Sequence, residues 1–466
     1  MTLFDHLPLV SVIISTYNRC HLLQQSLGSV LCQTYPKLEI IVVDDGSSDD
    51  TVAMLAQYAG RVKIVQQANR GAAAARNRGI SVSQGEYLTF LDDDDLLKPT
   101  KIARQVQALR HQPQKELIHT GYYYGDGMGQ ALQKVWLLPS GDIRQQLVAG
   151  NFIWSGAPLV RRSCLEQTGG FDERLTNCED WDLWVRLALA GCQFGVVQTP
   201  LGTYRLQPNS KVTNLARLEQ SVMTVLAKIF ARVDLPEQVA AAKSKAYAQM
   251  HLWLSAQGFA GGKVDTGQHH LVQALHEQPV WRDQPETLLP RLRSHSLDAR
   301  VTDPPRFITD LFAHLPDMAE FLRPHYPWLL TYAHLGLALR HQANGDVSEA
   351  QKGFAAARQI YPALTHQPDK LAPFLTEYAL SLPVDEPVRF AAAVLSQLPL
   401  TPQTIQHVLG DVSLGWAFQA YFDGDMGVVP RRVLAAWRHR PALLKNRGSW
   451  AIFLKSFRRQ GNGNDV

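Results

Sequence analysis

The sequence predicts an α/β domain over residues 1–214 followed by an all-helical domain over 215–466. Three observations carry that expectation. Short β-branched or aromatic runs alternate with helical patterns through the first hundred residues, acids gather where the apolar runs stop, and after residue 214 strand-like runs give way to Ala, Leu, Gln and His at helical spacing.

LVSVIIST reads as a first buried strand, LEIIVVDD as a second and EYLTFLDDDD as a third, each stopped by polar turn residues. Between them, residues 21–34 and 51–59 carry apolar positions at helical spacing, and 71–83 (GAAAARNRGISVS) reads as a small-residue helix. Such alternation implies a Rossmann-like, mostly parallel sheet covered on both faces, with ligands at the carboxyl ends of the strands.

In the second half a Gly, an Ala twelve residues later and a Pro five beyond recur at Gly262/Ala274/Pro279, Gly345/Ala357/Pro362 and Gly424/Ala436/Pro441. The Gly is expected to turn the chain between two helices, the Ala to permit close contact and the Pro to stop the second helix. The middle copy resembles a tetratricopeptide repeat, with Ala350 and Phe354 at matching offsets. Its neighbours lie 83 and 79 residues away, where a tandem array has a period of ~34.

A composition of 45% hydrophobic and 19% charged residues with net charge +4 excludes a disordered chain. No apolar run approaches the ~18 residues of a membrane span, and MTLFDHLPLV lacks a signal-peptide pattern, so the expected location is cytoplasmic or peripheral at the cytoplasmic face of the membrane. Five cysteines, with no CxxC pair, argue against a disulfide framework or a Cys-based zinc site. Charge is balanced over 1–214, whereas residues 431–466 carry nine Lys or Arg against Asp465 alone. That basic end, interleaved with Leu, Trp, Phe and Ile, reads either as capping helices with solvated faces or as a surface for anionic lipid or a lipid-diphosphate-linked acceptor. Nucleic acid is not expected, since the remaining surface is not basic and no recognition motif occurs.

Three acidic turns carry the chemistry. In VVDDGSSDDT, Asp44 and Asp45 end a strand; they serve either the turn itself, with Ser48 or Asp49 capping a helix, or a nucleotide's imide N–H or ribose hydroxyl. In FLDDDDLLKP, Asp92, Asp93, Asp94 and Asp95 repel one another and would raise each other's pKa, a cost that a hard cation such as Mg²⁺ or Mn²⁺ relieves. In GGFDERLTNCEDWDLWVRL, a helix opens with Glu179, Asp180 and Asp182 in its first turn, where the helix dipole favours acids.

VSVIISTYNR, VVDDGSSDDT, NRGAAAARNRGI, EYLTFLDDDD and GGFDERLTNCEDWDLWVRL, in that order and spacing, resemble the inverting glycosyltransferases of family 2, over roughly residues 8–214. The resemblance implies the GT-A fold and a nucleotide-sugar donor, UDP-sugar by default, across the first strand ends. Thr16, Tyr17 and Asn18 would approach base and ribose, Asp45 would accept from the base with Asp44 close by, and Arg76 would face base or phosphates. Asp92 and Asp94 match the family's DxD element: Asp94 for direct metal contact, Asp92 as a second ligand, and Asp92 or Asp93 for the ribose. The cofactor implied is Mn²⁺ or Mg²⁺. Asp180 matches the acid of the ED motif, the base that takes the acceptor's proton in a single, inverting displacement.

The acceptor, a glycan or lipid-linked hydroxyl in cell-surface polysaccharide or glycoconjugate synthesis, is expected near residues 150–160. Phe152, Trp154 and Ser155 lie there, Trp154 reading equally as a face for a sugar ring or as core; Glu179 and Trp181 of the ED helix are further candidates, Trp181 reading more as core packing than as a sugar platform. Where family members often carry Tyr-Arg-x-His-x-x-Ser, this chain has Tyr204-Arg205-Leu206-Gln207-Pro208-Asn209-Ser210. Gln207 replaces the His and is a poor metal ligand, so Arg205 and Lys211 are expected to supply phosphate contacts. A nucleotidyltransferase would place a Gly-rich phosphate loop where STYNRCHLL stands. A non-catalytic scaffold acting through the helical domain would not need Asp94 and Asp180, and both are present.

Overall fold

Val10–Thr16 (β1) is buried at every position, the signature of a strand covered on both faces. In this computed structural model, which describes residues 6–207, 214–362, 368–398 and 400–461, β1 is flanked in parallel by Leu38–Asp44 (β2) and Tyr87–Asp92 (β4). Lys63–Gln66 (β3) extends the parallel set beyond β2. This half-exposed edge strand has no apolar run to announce it. Further strands are Leu96–Leu97 (β5), Leu117–Gly125 (β6), Ala131–Val135 (β7), Leu159–Arg161 (β8) and Phe194–Arg205 (β9). The order is β3-β2-β1-β4-β8-β6-β9-β5, with β7 pairing β6. β8 runs antiparallel to both β4 and β6, so the sheet is mixed beyond β4.

Helices Cys20–Leu31 (α1), Thr51–Ala56 (α2), Ala72–Val82 (α3), Lys101–His111 (α4), Arg144–Val148 (α5), Arg162–Thr168 (α6) and Glu179–Leu189 (α7) complete the α/β layers. The run of small residues in α3 has a packing reason: a Cβ at Gly79 would collide with Ile13 of β1, so the helix sits against the sheet only because that position is bare. Register then aligns the chemistry. Thr16 pairs with Asp44 and Ser15 with Asp92, so three strands end side by side with their polar residues adjacent.

The chain forms two compact units, residues 1–131 with 135–254, and 132–134 with 255–466. Helical pattern starts after residue 214 with Leu215–Phe230 (α8), yet Leu218, Val222, Val225 and Leu226 pack into the core of the first unit, which reaches Leu254. The five cysteines are free. Cys164, Cys192 and Glu116 nevertheless meet within 4.8 Å, a proximity that sequence spacing could not show. They are one ligand short of the four that a structural zinc takes.

The second unit is helical. Its Gly/Ala/Pro recurrence marks helix hairpins: Gly262, Gly345 and Gly424 each hold a left-handed φ between +68° and +83° at the turn, and Ala274, Ala357 and Ala436 are all buried. Among the described residues no helix is long and apolar enough to cross a membrane.

Candidate active site

A cleft of about 470 Å³ opens at the strand ends, lined by Ser15, Thr16, Tyr17, Arg19, Asp45, Asn69, Gly71, Arg76, the Asp92–Asp94 run, Glu179 and Tyr204 among others. Asp45 forms its wall. That buried carboxylate accepts the backbone N–H of Arg70 (3.0 Å) and Gly71 (2.7 Å) and the amide of Gln67 (2.7 Å), fixing the turn that enters α3. Gly71, with φ +91°, supplies the left-handed backbone this needs. Three of the roughly four acceptor positions of Asp45 are thus used, leaving about one toward the cleft. Asp44 accepts the N–H of Ser47 at 2.9 Å, holding the turn, and is absent from the cleft lining.

The acid run divides its labour. Asp92 accepts from Arg76 and from the Ser155 hydroxyl (2.9 Å). Asp93 and Asp94 both meet Arg19, at 3.1 and 2.7 Å. Burial, aided by the like charges of its neighbours, pushes Asp93 up to about 6 against the pull of Arg19. Asp94 is raised as well, by burial first and by Asp92 next. Asp95 faces inward: wholly buried, it accepts from the Trp154 indole (2.6 Å) and the Arg205 N–H (2.9 Å), and burial lifts it well above the usual carboxylate range.

Across the cleft, the first turn of α7 sends its three acids to three partners. Glu179 pairs with Arg76 at 2.8 Å. Asp182 is clamped by Arg186 and by Lys228 of α8, each at 2.7 Å. Asp180 accepts from Asn151 at 3.2 Å, and burial together with the charge of Glu179 pushes it up to about 7, against the pull of Arg76. Near neutral pH this carboxyl exchanges its proton readily, which suits a base. Arg76, almost wholly buried and seated 5.2 Å from the Phe171 ring centroid, ties the end of β4 to the start of α7.

A second cleft of about 430 Å³ is lined by Gln145, Gln146, Ala149, Gly150, Asn151, Phe152, Lys245 and Gln249. Asn151 belongs to this cleft and bonds to Asp180, whose neighbour Glu179 lines the first.

Several sequence expectations need correction. Trp154 and Trp181 cannot stack on an acceptor sugar: both are buried, with their indole N–H groups given to Asp95 and to the Leu147 carbonyl. Gly156 and Gly202 lie directly against the Trp154 ring. Arg205 is not available to phosphate, because it is buried and bonds to the Asp94 carbonyl and to Gln25. Arg76 lines the cleft, with its guanidinium paired to Asp92 and Glu179. Asn18 closes a loop instead of facing a ligand, its side-chain oxygen accepting from the Ser48 N–H at 2.7 Å. Gln207 is described, with a buried amide Nε2 that has no hydrogen-bond partner among the described residues. Lys211 lies outside them.

Two contributors were missed. Arg19 follows the STYN stretch directly, and a cation opposite an acid run was its only signal. Asn151 carried none, because its role depends on where α7 begins.

Comparison with known proteins gives the family. The model for glycosyl transferase family 2 matches residues 11–168. A putative teichuronic acid biosynthesis glycosyltransferase of Bacillus subtilis, TuaG, is 32% identical over 212 residues, 44% of this chain and 82% of that protein. An uncharacterized glycosyltransferase of Rickettsia felis is 32% identical over 188 residues, 39% of this chain and 31% of that protein, so the match spans about a third of that relative's length. Among solved structures, the mannosyltransferase PcManGT of Pyrobaculum calidifontis, in complex with GDP-Man and Mn²⁺, aligns at 20% identity and TM-score 0.44, over 66% of this chain and 86% of that one. An α/β domain with an acid-lined cleft at its strand ends is thus joined to a helical region. The chain belongs to glycosyltransferase family 2.

Proposed function

We propose that this chain transfers a sugar from a nucleotide-diphospho-sugar, UDP-sugar by default, to a hydroxyl of a glycan or lipid-linked acceptor, inverting the anomeric centre, in the synthesis of a cell-surface polysaccharide or glycoconjugate. The observation that carries this reading is Asp180, a half-buried carboxyl raised to about 7, beside Glu179, which Arg76 pairs with Asp92 of the acid run.

The donor's base and ribose would lie against Thr16, Tyr17 and the wall built on Asp45. The diphosphate would point toward Asp92–Asp94. These residues fit a divalent cation: hard carboxylate oxygens, raised in pKa by burial even though Arg19 pairs with Asp93 and Asp94. Asp94 with Asp92 would hold Mn²⁺ or Mg²⁺. When bound, the ion would supply electrostatic stabilisation of the departing diphosphate. Arg19 adds positive charge at the same place.

Asp180 receives the proton of the attacking hydroxyl at a carboxylate oxygen, while Asn151 holds Oδ2. Arg76 compensates the charges of Asp92 and Glu179, so that Glu179 does not compete with Asp180 for the proton. The acceptor is assigned to the second cleft, whose amides and Phe152 suit a polyhydroxylated molecule.

The test is release of nucleoside diphosphate and transfer of label from a panel of radiolabelled nucleotide sugars. Because the base works deprotonated, kcat/KM should fall about tenfold per pH unit below pH ~7 and level off above it. If no donor turned over with Mn²⁺, Mg²⁺ and a mixed glycan acceptor present, the reading would fail.

A further inference from the structure

The last two helices carry apolar side chains that the packing of the second unit covers only in part. Helices Val429–His439 and Arg447–Gly461 meet through Trp437, whose ring centroid lies 4.5 Å from that of Trp450 and 5.1 Å from that of Phe453. Val433, Ala436, Leu443 and Ile452 close a small core beneath them. That core uses one face of Arg447–Gly461, the face carrying Ser449, Ile452 and Ser456, all buried. At 3.6 residues per turn, Trp450, Leu454 and Phe457 form a second apolar stripe on another face, within an arc of about 60°. Those three side chains, with Leu434 and Leu444, are 40% to 55% exposed.

Exposed large apolar residues scattered singly need no explanation, but a row of them on one helix does. Its surroundings say what would cover it. Arg431, Arg438, Lys445, Arg447 and Lys455 are all exposed, and between Asp425 and Asp465 the sequence contains no Asp or Glu at all. A second copy meeting the first through this face would set cations against cations with no acid to answer them. An apolar stripe flanked by Lys and Arg instead matches the boundary between acyl chains and anionic headgroups.

We infer that residues 429–457 form a peripheral membrane-docking surface, which seats Trp450, Leu454 and Phe457 at the headgroup boundary of a bilayer rich in anionic phospholipid. This goes beyond the transfer reaction and does not depend on it.

Flotation of the full chain with vesicles tests the assignment. The chain should bind vesicles of three parts phosphatidylcholine to one part phosphatidylglycerol, bind pure phosphatidylcholine at least about tenfold less, and release as ~1 M salt shortens the screening length. Leu454→Glu with Phe457→Glu should lower binding to the anionic vesicles at least about tenfold. Both positions are exposed, so the thermal transition should not move. Lys445→Gln with Arg447→Gln and Lys455→Gln should remove the preference for anionic lipid. The inference is overturned if the wild-type chain does not bind anionic vesicles, or if both variants bind as it does. It is also overturned if sedimentation shows wild-type self-association that the Glu variants abolish, with no vesicle binding by either.

Discussion

Asp180→Asn is expected to reduce the rate of sugar transfer by about 10²–10⁴-fold, the usual contribution of a positioned general base, while donor affinity changes by less than about twofold. The amide matches the carboxylate in shape and can still accept the Trp181 N–H and, through reorientation, meet Asn151. What it cannot do is take a proton from a hydroxyl whose own pKa lies far above neutrality. The variant also removes a partly buried acid adjacent to Glu179, so its thermal stability should equal or exceed that of wild type. Single-turnover kinetics at saturating donor, set beside a melting curve, separate lost chemistry from lost folding. Transfer at the wild-type rate would remove Asp180 from the mechanism.

Arg76→Met is expected to be the most destabilising single change at the site, at about 3–5 kcal/mol for breaking a buried ion pair by removing one partner. Arg76 is almost fully buried, and its two guanidinium nitrogens serve Asp92 and Glu179, which would be left facing each other across an apolar side chain. Its contact over Phe171 would weaken as well. Denaturant unfolding followed by tryptophan fluorescence should show the loss. A second variant fixes the cause: adding Glu179→Gln to Arg76→Met should recover part of the stability, because one of the two uncompensated charges is then gone. Destabilisation unchanged by that second substitution would point to lost packing instead.

The site was readable from sequence where residue type and strand position suffice, and unreadable where partners come from afar. Strand ends and their acids are local features, so Asp92–Asp94, Asp45 and the α7 acids stood out. Their division of labour was not local. Asp95 looks identical to Asp94 in the sequence, yet it turns into the core because Trp154 and the β9 backbone offer it donors from 59 and 110 positions away. Arg205 looked like a phosphate ligand beside Tyr204, and the same β9 register buries it against Gln25 and the Asp94 carbonyl. Trp154 reads equally as a sugar platform or as core from sequence, and Trp181 more as core, because a ring's chemistry is plain in sequence and its burial is not; both turn out buried. The hairpin glycines succeeded for the opposite reason, since a left-handed turn between helices demands Gly whatever packs around it.

The central claim is that the strand-end cleft binds a nucleoside diphosphate through the acid run and a divalent cation. Calorimetric titration of UDP into the full chain, with Mn²⁺ and then with chelator, measures it directly, and Asp94→Asn serves as the control. The account predicts binding with Mn²⁺ that weakens at least about tenfold both on chelation and in Asp94→Asn. No heat from UDP or any other nucleoside diphosphate with Mn²⁺ present, or an affinity that neither chelation nor Asp94→Asn alters, would contradict it.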